Sequence, residues 1–326
     1  MTRLLSRADF LRLAAGGLSA AALSGVAFAG ATKNLQGAAM MNSDCAMLAR
    51  PIPKSGEMLP VIGLGTWQTF DAGDVGEAGG NAAARDNLRA ILQALFDGGA
   101  SVIDTSPMYG RAEAVVGDLL AAMRARKRAF LATKVWISAR EQGIAQMGRS
   151  AELLHTRVID LMQIHNLVDW RTQLATLRRM KEAGELRYIG VTHYTPAAFA
   201  DLAAIIEREE IDFVQLPYSI DVREAERRML PLAAEHQVAV MVNRPFGGGG
   251  LFREVRAKAL PPWVTEAGCG SWAQFFLKYI VSHPAVTCVI PATDDLAHLD
   301  DDLKAGRGPM PDDGVRRRMV QYWDAL

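Results

Sequence analysis

The chain has 326 residues, half of them hydrophobic, and its 36 Lys and Arg are matched by 36 Asp and Glu. Apolar material for a large core is present, and no net field draws the chain to nucleic acid or to an anionic membrane. Cys45, Cys269 and Cys288 form no CxxC pair and no Cys/His cluster at metal spacing, so neither a disulfide scaffold nor a metal site is expected; Cys288, inside "AVTCVIP", reads as a small core residue.

Residues 1–29 start basic at Arg3, Arg7 and Arg12, run on through small apolar residues, and reach Ala27-Phe28-Ala29, an A-x-A cleavage pattern. The run is too short and too rich in alanine for a spanning helix. "SRADFLR" resembles the twin-arginine export signal, with Ala8 where the second arginine belongs. The expectation is an export signal over 1–29, recognised by export machinery and removed after Ala29. A loose segment over 30–48 follows, then a single domain over 49–326 with no membrane span. Export points to the periplasm; the missing arginine leaves room for retention in the cytoplasm.

From residue 50, "RPIPKSGEMLPVIGLGTW" reads as a hairpin around Lys54-Ser55-Gly56 and then a strand over 61–65. Strand-like runs follow at "SVIDTS", "FLATKVW", "DLMQIHN", "YIGVTHY", "FVQLPYS", "VAVMVNRPF" and "VTCVIPAT". Between them stand helical patterns such as "ARDNLRAILQALFDGG" and "DWRTQLATLRRMKEAG", apolar at three- and four-residue spacing and often closed by glycine. Continuous apolar strands are what a parallel sheet buried on both faces requires. Eight strand–helix units of about thirty residues each close into a (β/α)8 barrel, and no GxGxxG follows the first strand to favour an open sheet. A final amphipathic helix, "VRRRMVQYWDAL", packs outside.

A barrel collects its chemistry at the C-terminal ends of its strands. Those ends carry Thr66-Trp67, then Asp104 with Tyr109 just beyond, Lys134-Val135-Trp136, His165-Asn166, Thr192-His193 and Gln215. Asp104, Lys134 and His165 recur at about one βαβ repeat, so one register of the barrel presents all three at one rim. Each alone has an ordinary reading: an Asp capping a turn, a Lys reaching solvent, a His or Tyr packed in the core. Together they describe a tuned proton donor. A phenol titrates near 10, a nearby ammonium lowers that value, a carboxylate holds the ammonium, and a neutral imidazole binds the substrate oxygen.

In these motifs the chain resembles the aldo-keto reductases, from "GLGTW" near 63 to "HLDDDL" near 303. "IDTSPMYG" is similar to the family's Asp-and-Tyr segment, "TKVW" to its Lys segment and "DLMQIHN" to its His segment. The resemblance implies a reductase of aldehyde or ketone carbonyls in which Tyr109 is the acid, Lys134 and Asp104 tune it, and His165 orients the carbonyl. It implies a nicotinamide cofactor across the rim, with Thr66, Trp67, Thr192, His193 and Gln215 around the nicotinamide. His193 stands where the family usually has Asn. Beyond the seventh strand, Asn243, Arg244 and Phe246 each fit the place of an aromatic platform, and Gly247 opens a glycine run suited to phosphate. At the ribose end Thr293 keeps a hydroxyl, while Ala292 and His298 stand where Lys or Arg usually marks a 2′-phosphate. Asp294, Asp295, Asp301 and Asp302 crowd that region with negative charge. NADP(H) is expected first and NAD(H) second.

Trp67, Met108 and Trp136, with Trp170 beyond them, line an apolar pocket suited to small carbonyl compounds of modest polarity. Three other readings compete. One is a cofactor-binding barrel with a regulatory role and little turnover; another is Schiff-base chemistry at Lys134; a third is partner docking through "VRRRMVQYW".

Overall fold

The computed structural model describes residues 46–72 and 82–326. The expected signal over 1–29 and nearly all of the 30–48 segment lie outside those residues. The hairpin forms where the sequence places it. Strand β1 (Ala49–Pro51) pairs antiparallel with β2 (Met58–Pro60), and Gly56 takes the left-handed φ of +75° that the turn needs.

Among the described residues one eight-stranded parallel sheet follows in sequence order. Its strands are β3 (Leu64–Gly65), β4 (Val102–Asp104), β5 (Phe130–Val135), β6 (Ile159–His165), β7 (Leu186–Thr192), β8 (Phe213–Pro217), β9 (Ala239–Asn243) and β10 (Val286–Val289). Parallel bridges Ile62↔Val289 and Gly65↔Ala292 join the last strand to the first, so the sheet closes on itself. The architecture is the (β/α)8 barrel with its N-terminal hairpin.

Alternation along each strand divides the core in two. On β5, Leu131 and Val135 face outward into the layer shared with the helices, while Phe130 and Ala132 face the barrel interior. Ile52 and Leu59 of the hairpin join Phe130, Tyr188 and Phe213 there and plug the N-terminal mouth. Each fully buried side chain of this kind contributes about 1.5–3 kcal/mol of transfer free energy. Helices cover the outside, among them Ala82–Asp97, Ala112–Ala122, Arg140–Leu153, Trp170–Glu182 and Trp272–Val281. Gly117 lets two of them meet closely, since a Cβ there would lie 2.0 Å from the Leu153 carbonyl oxygen. The C-terminal pattern forms the helix Asp313–Asp324, N-capped by Asp312 and buried only along Arg316 and Met319. No described helix is long and apolar enough to cross a membrane.

Candidate active site

At the C-terminal end of the barrel, apolar interior gives way to polar side chains. Asp104 ends β4 at 2 % exposure, and Lys134 on β5 is fully buried. The Lys134 ammonium donates to Asp104 Oδ2 at 2.6 Å and to the Thr105 carbonyl at 2.7 Å, and it stands 4.9 Å from the centre of the Tyr109 ring. Tyr109 meets His165 edge to face at 6.0 Å, and His165 Nδ1 lies 3.2 Å from the Ser106 hydroxyl. The four residues read from the strand ends are therefore together at one rim.

They do not share one row of the sheet. Asp104 pairs with Ala132 and Lys134 pairs with Gln163, so each residue of the set sits two positions beyond the partner of its predecessor. Closing a barrel staggers its strands, and the length of the lysine side chain spans the step.

Burial reverses one expectation. The Tyr109 phenol is pushed above its usual value because desolvation outweighs the pull of Lys134, with Asp104 adding to the rise. A lowered value follows from the Lys134 charge alone; the depth of the ring overrides it. Desolvation also opposes the Lys134 charge, yet Asp104 and Tyr109 together hold the ammonium above its usual range. His165 is pushed down to about 3 by burial, then by the Lys134 charge and by His193. The rim thus holds a protonated phenol, a charged ammonium and a neutral imidazole at neutral pH.

Around this donor lies a shelf of amides and hydroxyls. Thr192 Oγ1 donates to Gln215 Oε1 at 3.1 Å, and Asn243 Nδ2 donates to the same oxygen at 3.3 Å and to the His193 carbonyl at 3.2 Å. Gln215 Nε2 donates to Asp104 Oδ1 at 2.9 Å. Asn243 Oδ1 is buried without a partner. His193 stacks on exposed Tyr194 at 5.3 Å, and burial lowers its imidazole from the usual value.

Of the three side chains weighed beyond the seventh strand, Asn243 belongs to the shelf. Arg244 is exposed and borders a cavity of about 310 Å³ with Tyr194, Pro217, Ser219, Asp221 and Gly247. Phe246 turns the other way and packs 4.8 Å from the Phe252 ring. Gly247, Gly248 and Gly249 all take left-handed φ, which only glycine adopts freely in succession. Thr66 is sealed from solvent, and its hydroxyl donates to the Asp104 carbonyl at 3.0 Å, steadying that strand end. Trp67, Met108 and Trp136 are exposed large side chains, with the Trp136 ring 6.2 Å from His165. Trp170, half-buried, lies under the Arg171 guanidinium at 4.4 Å.

The acids near the last strand do not form one field. Asp295 caps the helix Leu296–Lys304, accepting from Ala297 N at 2.7 Å and His298 N at 3.0 Å. Thr293 Oγ1 accepts from Asp295 N at 3.1 Å, and Asp301 accepts from Ser271 and Gln274. Asp302 is buried and its carboxyl is pushed up to about 8 by desolvation and by Asp301. Asp294 and Asp295 remain exposed here, as does His298.

Two site residues escape a reading of strand ends: Ser106, against His165, and Gln163, whose Nε2 donates to Asp104 Oδ1 at 3.2 Å. The period of two along β6 carried the signal for the second, because Gln163 precedes His165 by two and must face the same interior.

Barrel and rim together define an oxidoreductase-like site, and the family follows: the aldo/keto reductase family model matches residues 61–318, and the chain belongs to that family. It is 29% identical over 261 residues to methylglyoxal reductase YeaE of Escherichia coli (strain K12), covering 78% of this chain and 88% of that one. It is 28% identical over 196 residues to aldo-keto reductase YhdN of Bacillus subtilis (strain 168), covering 56% of each. Among solved structures, an aldo/keto reductase from Klebsiella pneumoniae in complex with NADP and acetate superposes with a TM-score of 0.70 at 22% identity, over 84% of this chain and 94% of that one. The holo form of aldo-keto reductase AKR11C1 from Bacillus halodurans superposes at 0.67 and 22% identity, over 85% and 96%.

Proposed function

We propose that the chain reduces aldehyde or ketone carbonyls to alcohols with a nicotinamide cofactor, Tyr109 serving as general acid. The observation that carries this reading is the Lys134 ammonium, held by Asp104 at 2.6 Å and set against the Tyr109 ring. A carbonyl oxygen gains negative charge as its carbon is reduced, and a positioned phenol supplies the proton that charge calls for. Lys134 stabilises the phenolate left behind, and Asp104 keeps Lys134 charged and aimed. His165, neutral and held at Nδ1 by the Ser106 hydroxyl 3.2 Å away, is set to orient the carbonyl oxygen. Trp67, Met108 and Trp136 offer the substrate apolar surface, which suits small carbonyl compounds of modest polarity.

The shelf fits a nicotinamide carboxamide. Asn243 Oδ1 is a buried acceptor in need of a donor, and Thr192, Gln215 and Asn243 are already locked together by hydrogen bonds. When bound, the cofactor supplies the hydride. NADP(H) comes first by resemblance, and the complex of the Klebsiella pneumoniae relative with NADP supports it. Asp295, holding the first N–H groups of the Leu296–Lys304 helix, is the observation that favours NAD(H) as a second reading. The basic, then small and apolar N-terminus ending at Ala29 supports export of the folded chain, which fractionation of cells making the full-length protein tests.

The decisive experiment is fluorescence titration with NADPH and NADH, followed by turnover on a panel of aldehydes. Binding with turnover in the wild type, and binding without turnover in Tyr109→Phe, is the expected result. Binding with no turnover of any carbonyl by the wild type would move the chain to the regulatory reading.

A further inference from the structure

Asp104 is a buried carboxylate with more than one partner to satisfy. Its Oδ2 takes the Lys134 ammonium, and its Oδ1 takes two amide donors, Gln163 Nε2 at 3.2 Å and Gln215 Nε2 at 2.9 Å. Gln163 is fully buried, sits beside Lys134 in the register of β5 and β6, and is not spent on that one contact. Its own carbonyl oxygen accepts from Gln215 Nε2 at 3.3 Å. A single side chain therefore touches both the anchor of the proton donor and the amide that closes the nicotinamide shelf.

We infer that Gln163 is a positioning residue for the reductase reaction: it locks the Asp104 carboxylate toward Lys134 and ties that pair to the Thr192–Gln215–Asn243 shelf. The inference rests on the reductase reading for its kinetic arm only. A carboxylate can rotate about its last torsion, and a fixed donor on Oδ1 decides which oxygen faces the ammonium. Both Gln163 and Gln215 lie in a dry interior, where amide dipoles are strong and a missing partner is costly. The charged and titratable groups facing Tyr109 are Asp104 from β4, Lys134 from β5, His165 from β6 and, beyond it, His193 after β7; Cys288 on β10 faces Asp104 from the barrel interior.

The direction of the effect is fixed. Asp104 raises the Tyr109 phenol and Lys134 lowers it. Without the Gln163 donor the Asp104 carboxylate carries less compensated charge, and that charge makes Tyr109 a weaker acid. In Gln163→Met, which keeps the volume and removes both polar atoms, the rising limb of the pH profile for alcohol oxidation moves up by about 0.5–1 unit. Carbonyl reduction at neutral pH slows by about 5- to 20-fold, and the cofactor dissociation constant changes less, by about threefold. Gln163→Asn keeps an amide but draws it back from Asp104; a smaller shift of the same sign is expected, and this variant carries the test if Gln163→Met does not fold.

A second arm needs no turnover. The tyrosinate absorbance of the wild type and of each variant is read after a rapid pH jump, with the Tyr109 step assigned by its loss in Tyr109→Phe. An upward move of that step supports the inference whether or not a substrate is known. A slower variant whose kinetic limb and tyrosinate step both stay in place would reduce Gln163 to packing and overturn the inference. A wild type that binds no nicotinamide cofactor and reduces nothing would instead remove the reductase reading, while the tyrosinate arm still decides the role of Gln163.

Discussion

Replacing Lys134 with methionine is the sharpest test of how the rim is built. The ammonium is fully buried and donates to Asp104 Oδ2 at 2.6 Å and to the Thr105 carbonyl at 2.7 Å. Removing one partner of a buried pair leaves the other as an uncompensated charge, at about 3–5 kcal/mol. Asp104 keeps amide donors from Gln163 and Gln215, which places Lys134→Met near the lower end, at about 3 kcal/mol. The double variant Asp104→Asn/Lys134→Met carries no unpaired charge and should be about 1–3 kcal/mol more stable than Lys134→Met alone. Urea unfolding of the wild type, both single variants and the double variant completes the cycle, with the slope of each transition checked for constancy. A cost below about 1 kcal/mol for Lys134→Met, or a double variant no more stable than it, would mean the pair is not the buried unit described.

Other consequences are measurable separately. Tyr109→Phe should bind cofactor within about threefold of the wild type while turnover falls by about 10²- to 10⁴-fold, read by fluorescence titration and cofactor absorbance. His165 is held down to about 3 in the folded chain against a usual 6.5, so its contribution to stability is full above 6.5 and is lost as pH falls toward 3. The slope is at most about 1.4 kcal/mol per pH unit, and His165→Asn should flatten a denaturation series between pH 6.5 and 4; parallel wild-type and variant curves would refute it. Asp302 behaves oppositely. Its carboxyl, raised to about 8, costs the fold progressively as pH climbs past the usual 3.8. Asp302→Asn should therefore gain about 2–5 kcal/mol at pH 8 and almost nothing near pH 4, and an equal gain at both would show that charge is not the cause.

Much of the barrel was legible because a parallel strand buried on two faces must be a short apolar run, and "FLATKVW", "DLMQIHN" and "VAVMVNRPF" are largely apolar runs whose polar groups gather toward their C-terminal ends. The same feature hid Gln163, which reads as a flaw in an apolar strand until the interior period of two is followed from His165. Side-chain direction beyond a strand end was not legible. Asn243, Arg244 and Phe246 are near neighbours in sequence, yet one joins the shelf, one borders a cavity and one packs on Phe252. The direction of the Tyr109 shift was hidden for another reason: a sequence gives the charges around a phenol but not the depth at which they meet. Likewise, four aspartates read as one negative patch separate into a helix cap, an exposed acid, a hydroxyl acceptor and a buried acid only when the backbone sets their directions.

Arg50 of the opening hairpin donates to the carbonyls of Val281 at 2.6 Å, His283 at 2.7 Å and Val286, across sequence separations of 231 to 236 residues. Part of the docking site of β1 is therefore missing until the helix Trp272–Val281 and the last barrel strand have been made, although the hairpin already meets Phe130, Tyr188 and Phe213. Loop closure over that span comes late and must be supported by everything between, so the barrel cannot be finished in halves. A chain stopped before the helix Trp272–Val281 would leave the Arg50 guanidinium without that cradle, and proteolysis of stalled chains should find the hairpin first.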